Sequence, residues 1–356
     1  MSIFPKLNKR RIQLLKKIIF RTRVNGALLK YSHNRINNLF HDRYKTTRVN
    51  HPTNFMLELG NVCNLHCKMC PREHTYGQVM DKGFMDLENA YKIIDEIYPF
   101  LDSIGLTGLG ETFLYPHLLE VVKYIKQKKK SIIITVSTNA HIKNYVDIAD
   151  KLLPYIDNIQ FSVDGIGKTY ENIRPNTSFD EIRRNIEHTV KKGKTTTFMI
   201  NCVVMPENYK DMGDIVRFAD EMNIKFVNFN TASIASNPSA SRSFYDFYIS
   251  EDFKDEVEKM TLLIKEFPHI EITGLQQTEN LTFQDCSFPW EYPYITWDGY
   301  YVPCCGKPFP KLLNFGNVFE DGVMEVLNSE KARAFRKAWQ ANKPPRFCHN
   351  CQFTKI

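Results

Sequence analysis

The chain has 356 residues, of which 43% are hydrophobic and 24% charged, the composition of an ordinary globular protein rather than a disordered or fibrous one. No apolar run approaches the roughly 18 residues that a membrane-spanning helix needs. Residues 1–50 contain 13 Lys or Arg and one acid, Asp42, whereas the remaining chain is slightly acidic. The positive charge therefore belongs to a separate N-terminal extension, and we expect no binding to nucleic acid.

The basic N-terminal extension, residues 1–50, contains an amphipathic pattern within residues 6–30. Ile12, Leu15 and Ile19 recur at helical spacing among the basic residues. We expect such a helix to pack against the rest of the protein, and the alternative is a peripheral contact with an anionic membrane or an acidic partner. The extension has no apolar signal segment, so the expected location is the cytoplasm.

Strand-like and helix-like segments alternate from residue 51 to residue 235. Predicted strands cover residues 55–59, 103–107, 132–136, 159–163, 197–205 and 225–230, and predicted helices cover 87–100, 117–126, 142–153, 179–192 and 209–222. This alternation predicts an α/β fold with parallel strands joined by crossover helices. On the pattern alone, a partial (β/α)6 barrel and an open doubly wound sheet fit equally well.

The C-terminal part of the chain changes character twice. Residues 236–280 begin with small polar residues and then show a helix over 252–267 and a strand over 269–273. They are predicted to be a linker followed by barrel-closing elements. Residues 281–356 are rich in Cys, Pro, Trp and Tyr, which predicts a small cysteine-rich domain with one helix over 323–340.

Nine cysteines are the most informative feature of the sequence. Cys63, Cys67 and Cys70 follow the first predicted strand with the spacing C-x3-C-x2-C. Thiols in the cytoplasm stay reduced, so these cysteines are predicted to bind metal rather than to form disulfides. Three thiolates on one loop can hold three irons of a 4Fe–4S cluster and leave the fourth iron open. A zinc site is the alternative, although it usually has four ligands.

The cysteine loop resembles the motif of the radical S-adenosylmethionine (SAM) enzymes, with Met69 at its apolar position. Gly108-Leu109-Gly110-Glu111 resembles the family's GGE motif, which implies that Gly108, Gly110 and Glu111 bind SAM. The other positions that match SAM-contacting sites of the family are Ser137, Asn139, Ser162, Asp164 and the segment 203–208. The resemblance covers residues 53–230 and implies a partial (β/α)6 TIM-like barrel with its site at the carboxyl ends of the strands.

The resemblance also implies a chemistry. A flavodoxin- or ferredoxin-type donor reduces the SAM-binding cluster, and SAM is cleaved to a 5′-deoxyadenosyl radical that removes a hydrogen atom from the substrate. Because the cofactors carry the reactive step, the protein mainly positions the substrate and excludes quenching groups.

The C-terminal cysteines resemble the SPASM domain and its shorter twitch form, which bind auxiliary clusters in many radical SAM enzymes. Cys286, Cys304, Cys348 and Cys351 have matching positions. The resemblance implies that these four cysteines hold a second 4Fe–4S cluster, in which Cys305 could replace Cys304. A zinc ribbon is the alternative for four such cysteines.

Three functions remain open at this point. The first expectation is an oxidoreductase that acts on a small molecule, best matched by a carbohydrate alcohol, because an auxiliary cluster can accept the electron left on the substrate. The spacing of the C-terminal cysteines resembles that of 2-deoxy-scyllo-inosamine dehydrogenase-type enzymes. The second function is a radical SAM maturase that modifies a peptide. The third is a non-catalytic Fe–S or zinc scaffold protein, which the intact cysteine motif and Glu111 disfavour.

Overall fold

A computed structural model describes residues 31–39, 46–234, 242–274, 286–343, 345–348 and 351. Nine strands form one sheet, namely β1 (Asn54–Leu57), β2 (Ser103–Gly105), β3 (Ile133–Thr138), β4 (Asn158–Ser162), β5 (Thr197–Val204), β6 (Phe226–Thr231), β7 (Glu271–Thr273), β8 (Tyr294–Ile295) and β9 (Tyr301–Val302). Their order in the sheet is β7-β6-β5-β4-β3-β2-β1-β8-β9. Adjacent strands are parallel except for the antiparallel pair β8 and β9.

Strand order decides between the two α/β folds that the sequence left open. A doubly wound sheet reverses its strand order at a switch point. Here β1 to β7 follow one another across the sheet in chain order without a reversal. The fold is therefore of the partial-barrel type, as the family resemblance implied. The core helices span Leu87–Ile97, Leu118–Lys128, Tyr145–Leu152, Phe179–Lys192, Met212–Glu221 and Glu251–Leu263.

Burial alternates along the strands, so the sheet has one fully covered face and one partly open face. In β5, Phe198, Ile200 and Cys202 are buried, whereas Met199 and Asn201 between them are half-buried. The helices cover the first face with their apolar stripes, such as Ile93, Ile94 and Ile97 of the helix Leu87–Ile97. The second face carries polar side chains and is available for ligands.

Short helices span Thr75–Gln78, Lys168–Ile173, Phe288–Glu291 and Val318–Asp321. The helix predicted over residues 323–340 is two helices, Val323–Leu327 and Glu330–Gln340. Ser329 begins the second one, because its hydroxyl accepts a hydrogen bond from the Ala332 amide (3.3 Å). The sequence prediction merged the two because their apolar residues stay in register across this break.

The C-terminal region joins the core sheet directly. The amide of Met56 donates to the Pro293 carbonyl, and the amide of Glu58 donates to the Ile295 carbonyl, both at 2.9 Å. Buried Arg336 donates to the carbonyls of Thr47 (2.6 Å) and Pro289 (2.9 Å). These contacts fix the cysteine-rich segment beside β1, next to the loop with the first three cysteines. The predicted domain boundaries stay predictions.

Residues 31–39 of the basic extension form a helix that packs on the protein. Tyr31 donates to Asp102 (2.6 Å), and Arg35 forms an ion pair with the same carboxylate (2.7 Å). The amphipathic segment predicted within residues 6–30 lies outside the described residues. In the described part of the chain, no helix is both long and apolar enough to cross a membrane.

Candidate active site

The loop after β1 brings the thiols of Cys63, Cys67 and Cys70 together. Burial raises the pKa of all three thiols, that of Cys67 to about 11, and the neighbouring Cys70 and Cys63 raise it further. Without a metal these thiols therefore stay protonated at neutral pH. A bound iron offsets that cost because it stabilises the thiolate form, so the donor set suits a metal cluster.

Hydrogen bonds hold the cysteine loop over the carboxyl ends of the strands. The amide of Leu65 points at the sulfur of Cys63 (3.4 Å), and the amide of Cys70 donates to the Cys67 carbonyl (3.0 Å). Asn64 donates from its side chain to the His141 carbonyl beyond β3 (2.5 Å). The loop is thus tied to the region where SAM is expected.

Two buried arginines flank the cysteine loop, and neither was singled out from the sequence. Arg174 forms an ion pair with Asp164 (2.6 Å), and its charge lowers the pKa of Cys67. Arg72 is buried, and its Nε and Nη1 atoms have no hydrogen-bond partner among the described residues. These cations fit a site that holds an anionic cluster and the carboxylate of SAM. The sequence signal that could have identified Arg72 is its position two residues after Cys70.

Glu111 lies at the centre of the site predicted to bind SAM. Its carboxylate accepts hydrogen bonds from the amides of Asn139 (2.7 Å) and Phe113 (3.1 Å). Burial raises its pKa, and these amides act in the opposite direction. A Cβ on Gly110 would lie 2.6 Å from the Gly60 and Val62 carbonyl oxygens, so only glycine allows this close approach to the cysteine loop.

The structure brings the remaining predicted SAM contacts to the same end of the sheet. Asn139 donates to Asn64 (3.1 Å) and lies 4.0 Å from the Cys63 sulfur. Ser137 donates to Gln160 on β4 (2.9 Å), and Ser162 ends that strand. Asp164 accepts from the Val203 amide (2.7 Å) as well as from Arg174, so its carboxylate orients the arginine. Their contacts with SAM stay predictions.

The C-terminal cysteines also lie near one another. The pKa of Cys348 is raised, mainly by burial and further by Cys304, Cys351 and Cys286. Burial raises the pKa of Cys304 to about 11 and that of Cys305 to about 12. Cys351 raises the pKa of both thiols further, so Cys304 and Cys305 both lie near the other C-terminal cysteines. Among the described residues, no three His, Cys, Asp or Glu side chains converge closely enough to share a single metal ion.

Comparisons with known proteins agree with this geometry. A model of the radical SAM superfamily matches residues 57–219, and a model of the SPASM iron-sulfur cluster-binding domain matches residues 286–352. A tungsten-containing aldehyde ferredoxin oxidoreductase cofactor-modifying protein of Pyrococcus furiosus is 24% identical over 79% of this chain and 82% of its own. The subtilosin biosynthesis protein AlbA of Bacillus subtilis is 23% identical over 85% of this chain and 65% of its own.

Solved structures share the fold at low sequence identity. Streptococcus suis SuiB bound to S-adenosylmethionine has a TM-score of 0.65 at 16% identity, over 92% of this chain and 78% of that one. SuiB bound to its precursor peptide SuiA has the same TM-score at 14% identity, over 98% and 82%. The structure of anSMEcpe with bound AdoMet has a TM-score of 0.61 at 18% identity, over 85% and 88%.

The fold and the cysteine site define a radical SAM enzyme. The chain carries a radical SAM domain followed by a C-terminal SPASM domain, and its cofactors are 4Fe–4S clusters and SAM. The match to the SPASM domain favours an Fe–S cluster over zinc at the C-terminal cysteines.

Replacing Glu111 by glutamine is expected to weaken SAM binding about 10- to 100-fold, because a charge-assisted hydrogen bond to the SAM amino group is lost. Equilibrium dialysis with labelled SAM on anaerobically reconstituted protein measures the effect. Glu120→Gln, at a half-exposed position in the following helix, is the matched control and should bind SAM normally. An unchanged dissociation constant for Glu111→Gln would remove Glu111 from the SAM site.

Proposed function

We propose that this protein is a radical SAM maturase that modifies a peptide, with the SPASM cluster as electron acceptor. The relatives support the peptide over the carbohydrate alcohol expected first, since AlbA is a bacteriocin biosynthesis protein and SuiB binds a precursor peptide. When bound, the reduced cluster and SAM supply a radical that abstracts hydrogen from the substrate. What this chain contributes is a surface that holds the substrate beside that site.

The observation that carries the proposal is a row of polar side chains on the open face of the sheet. From β3 to β7, the residues of this polar row are Ser137, Gln160, Asn201, Asn228 and Thr273. Ser137 and Asn201 both donate to the Gln160 oxygen at 2.9 Å. Asn228 donates to Asn201 (3.0 Å), and Thr273 donates to Asn228 (2.8 Å).

The polar row has the length and chemistry to bind an extended peptide. Five adjacent strands span about 19 Å, the length of five or six extended residues, whereas a single sugar ring covers a small part of it. Each side-chain NH2 group carries two N–H donors, and the bonds within the row use one from Asn201 and one from Asn228. The remaining hydrogens can therefore bond to peptide carbonyls.

The row also leads towards the SAM site. Ser137, at its β3 end, is two residues before Asn139, whose amide contacts Glu111. A peptide along the row would therefore present one residue near SAM while its neighbours are held on β4 to β6. This supports a substrate that is recognised over several residues.

The class of substrate is tested by coupling to SAM cleavage. Anaerobic, reduced protein is incubated with synthetic peptides or with aminosugars, and 5′-deoxyadenosine and product mass are measured. We expect peptides to stimulate SAM cleavage and to lose two hydrogens or gain a cross-link. Stimulation by aminosugars alone, with a ketone product, would instead establish the carbohydrate oxidoreductase.

Replacing Asn201 by alanine is expected to raise the KM for a peptide substrate about 10-fold, since it removes hydrogen bonds to two neighbours in the row. SAM cleavage without substrate should stay unchanged. Asn158→Ala is the matched control, because it removes the same type of side chain at the amino end of β4, away from the polar row, where Asn158 donates to the Thr135 hydroxyl (3.0 Å). Equal KM values for both variants would count against peptide binding by the polar row.

A further inference from the structure

Glu58 is a buried carboxylate that neither the cluster nor the polar row uses. It directly follows β1 and is only 1% exposed. One oxygen accepts hydrogen bonds from the Leu109 amide (2.8 Å) and the Tyr294 hydroxyl (3.0 Å). The other oxygen accepts from the Trp297 amide (3.3 Å). A single carboxylate thus connects the first core strand, the loop 108–111 and the SPASM domain.

The loop 108–111 is shaped around this carboxylate. A Cβ on Gly108 would lie 2.3 Å from Glu58 Cγ and 2.4 Å from its Oε1. Any other residue at position 108 would displace either the loop or the carboxylate. Gly108 is therefore explained by contact with Glu58, in addition to its place in the motif that resembles a SAM-binding site.

Glu58 also lies at the contact between the core sheet and the SPASM domain. It borders a cavity of about 580 Å³ between residues 76–81 and residues 296–317, whose walls include Tyr76, Trp297 and Phe309. Beside this cavity, the hydrogen bonds of the carboxylate and the close approach of Gly108 together fix its position. The cavity also gives the buried carboxyl group a path for proton exchange.

We propose that Glu58 is a positioning residue that sets the loop 108–111 for SAM binding and couples it to the SPASM domain. The carboxylate accepts a hydrogen bond from the Leu109 amide. Tyr294 and Trp297 of the SPASM domain donate to the same carboxylate. A shift of the SPASM domain therefore moves the SAM-binding loop through Glu58. This inference rests on the SAM-binding role proposed for the loop.

The coupling depends on pH in a definite direction. Burial raises the pKa of Glu58 to about 7, and the nearby charge of Asp298 adds to the effect. The pKa of the Tyr294 hydroxyl is held well above its usual value by burial, so it stays a donor. Above pH 7 the carboxylate accepts all three hydrogen bonds. Below pH 7 its own proton competes with one donor, and the hold on the loop weakens.

The test uses the full chain with Glu58→Gln, measured in two ways. In protein without SAM, the exchange protection of the Leu109 amide should fall about 10-fold, because its charged acceptor is lost. In reconstituted protein at pH 8, the dissociation constant for SAM should rise about 10-fold. At pH 6 the ratio of the variant's dissociation constant for SAM to the wild-type constant should shrink towards one. Because both constants are measured at the same pH, the titration of SAM itself cancels in this ratio.

Two further variants keep the test decisive. Tyr294→Phe removes one hydrogen bond to the carboxylate and should reproduce part of both effects, even if Glu58→Gln folds poorly. Tyr301→Phe alters a buried tyrosine of the same domain that faces Arg336, and should change neither the Leu109 amide nor SAM binding.

The outcomes separate this inference from the site assignment. If Glu111→Gln weakens SAM binding while Glu58→Gln leaves the Leu109 amide and SAM affinity unchanged, the positioning role is overturned. Equal losses of Leu109 amide protection and of SAM affinity in Tyr301→Phe and Glu58→Gln would also overturn the positioning role, since such losses would show general destabilisation. If the Leu109 amide responds but neither Glu111→Gln nor Glu58→Gln affects SAM, Glu58 holds the loop and the SAM assignment fails.

Discussion

Replacing Cys63, Cys67 and Cys70 together by alanine is expected to abolish 5′-deoxyadenosine formation, because the three thiolates of the open cluster are removed at once. About four irons per chain should remain, bound by the C-terminal cysteines. Iron analysis and a SAM-cleavage assay on anaerobically purified protein measure both quantities. The loss of 5′-deoxyadenosine formation should exceed the loss caused by removing any single contact to SAM, since without the cluster no electron reaches SAM.

Cys202 provides the matched control for the triple variant. It is a fully buried thiol in β5, and the Asn208 side-chain amide donates to its sulfur (3.9 Å). Cys202→Ala should keep about eight irons and normal SAM cleavage, with at most a modest loss of stability from the small cavity. If the triple variant still cleaves SAM, the cluster assignment is wrong.

Replacing Cys348 and Cys351 by alanine is expected to separate SAM cleavage from product formation. Iron should fall from about eight to about four per chain, while 5′-deoxyadenosine is still formed. Oxidised product should be lost, because the auxiliary cluster no longer accepts the electron of the substrate radical. Product analysis by mass spectrometry against 5′-deoxyadenosine gives the coupling ratio.

Single variants of the adjacent residues Cys304 and Cys305 identify the fourth ligand of the auxiliary cluster. Cys304→Ala and Cys305→Ala are compared for auxiliary iron, and only the ligand should cause its loss. Both side chains lie near Cys351, while Cys304 is also near Cys348 and Cys305 is also near Cys286, so proximity does not distinguish them. Product formation that survives in the Cys348 and Cys351 double variant would contradict the electron-acceptor role, as would one zinc and only four irons in wild-type protein.

The sequence by itself determined the features that depend on local spacing. The C-x3-C-x2-C loop needs only eight consecutive residues, and its three thiols come together because they share one short turn of chain. Alternating segments predicted parallel strands because the helix and strand periods differ. The Gly108–Glu111 motif was equally visible, since it lies within four residues at the end of one strand.

Tertiary structure decided the features that depend on residues far apart in the chain. The choice of a partial barrel over a doubly wound sheet depended on strand order, which no local pattern encodes. Glu58 looked like an ordinary residue of the first predicted strand, and its role depends on partners 51 and 236 residues away. The polar row joins single residues of five strands, each unremarkable in its own segment. Such contacts form only when the chain folds, because parallel strands place residues from distant segments side by side.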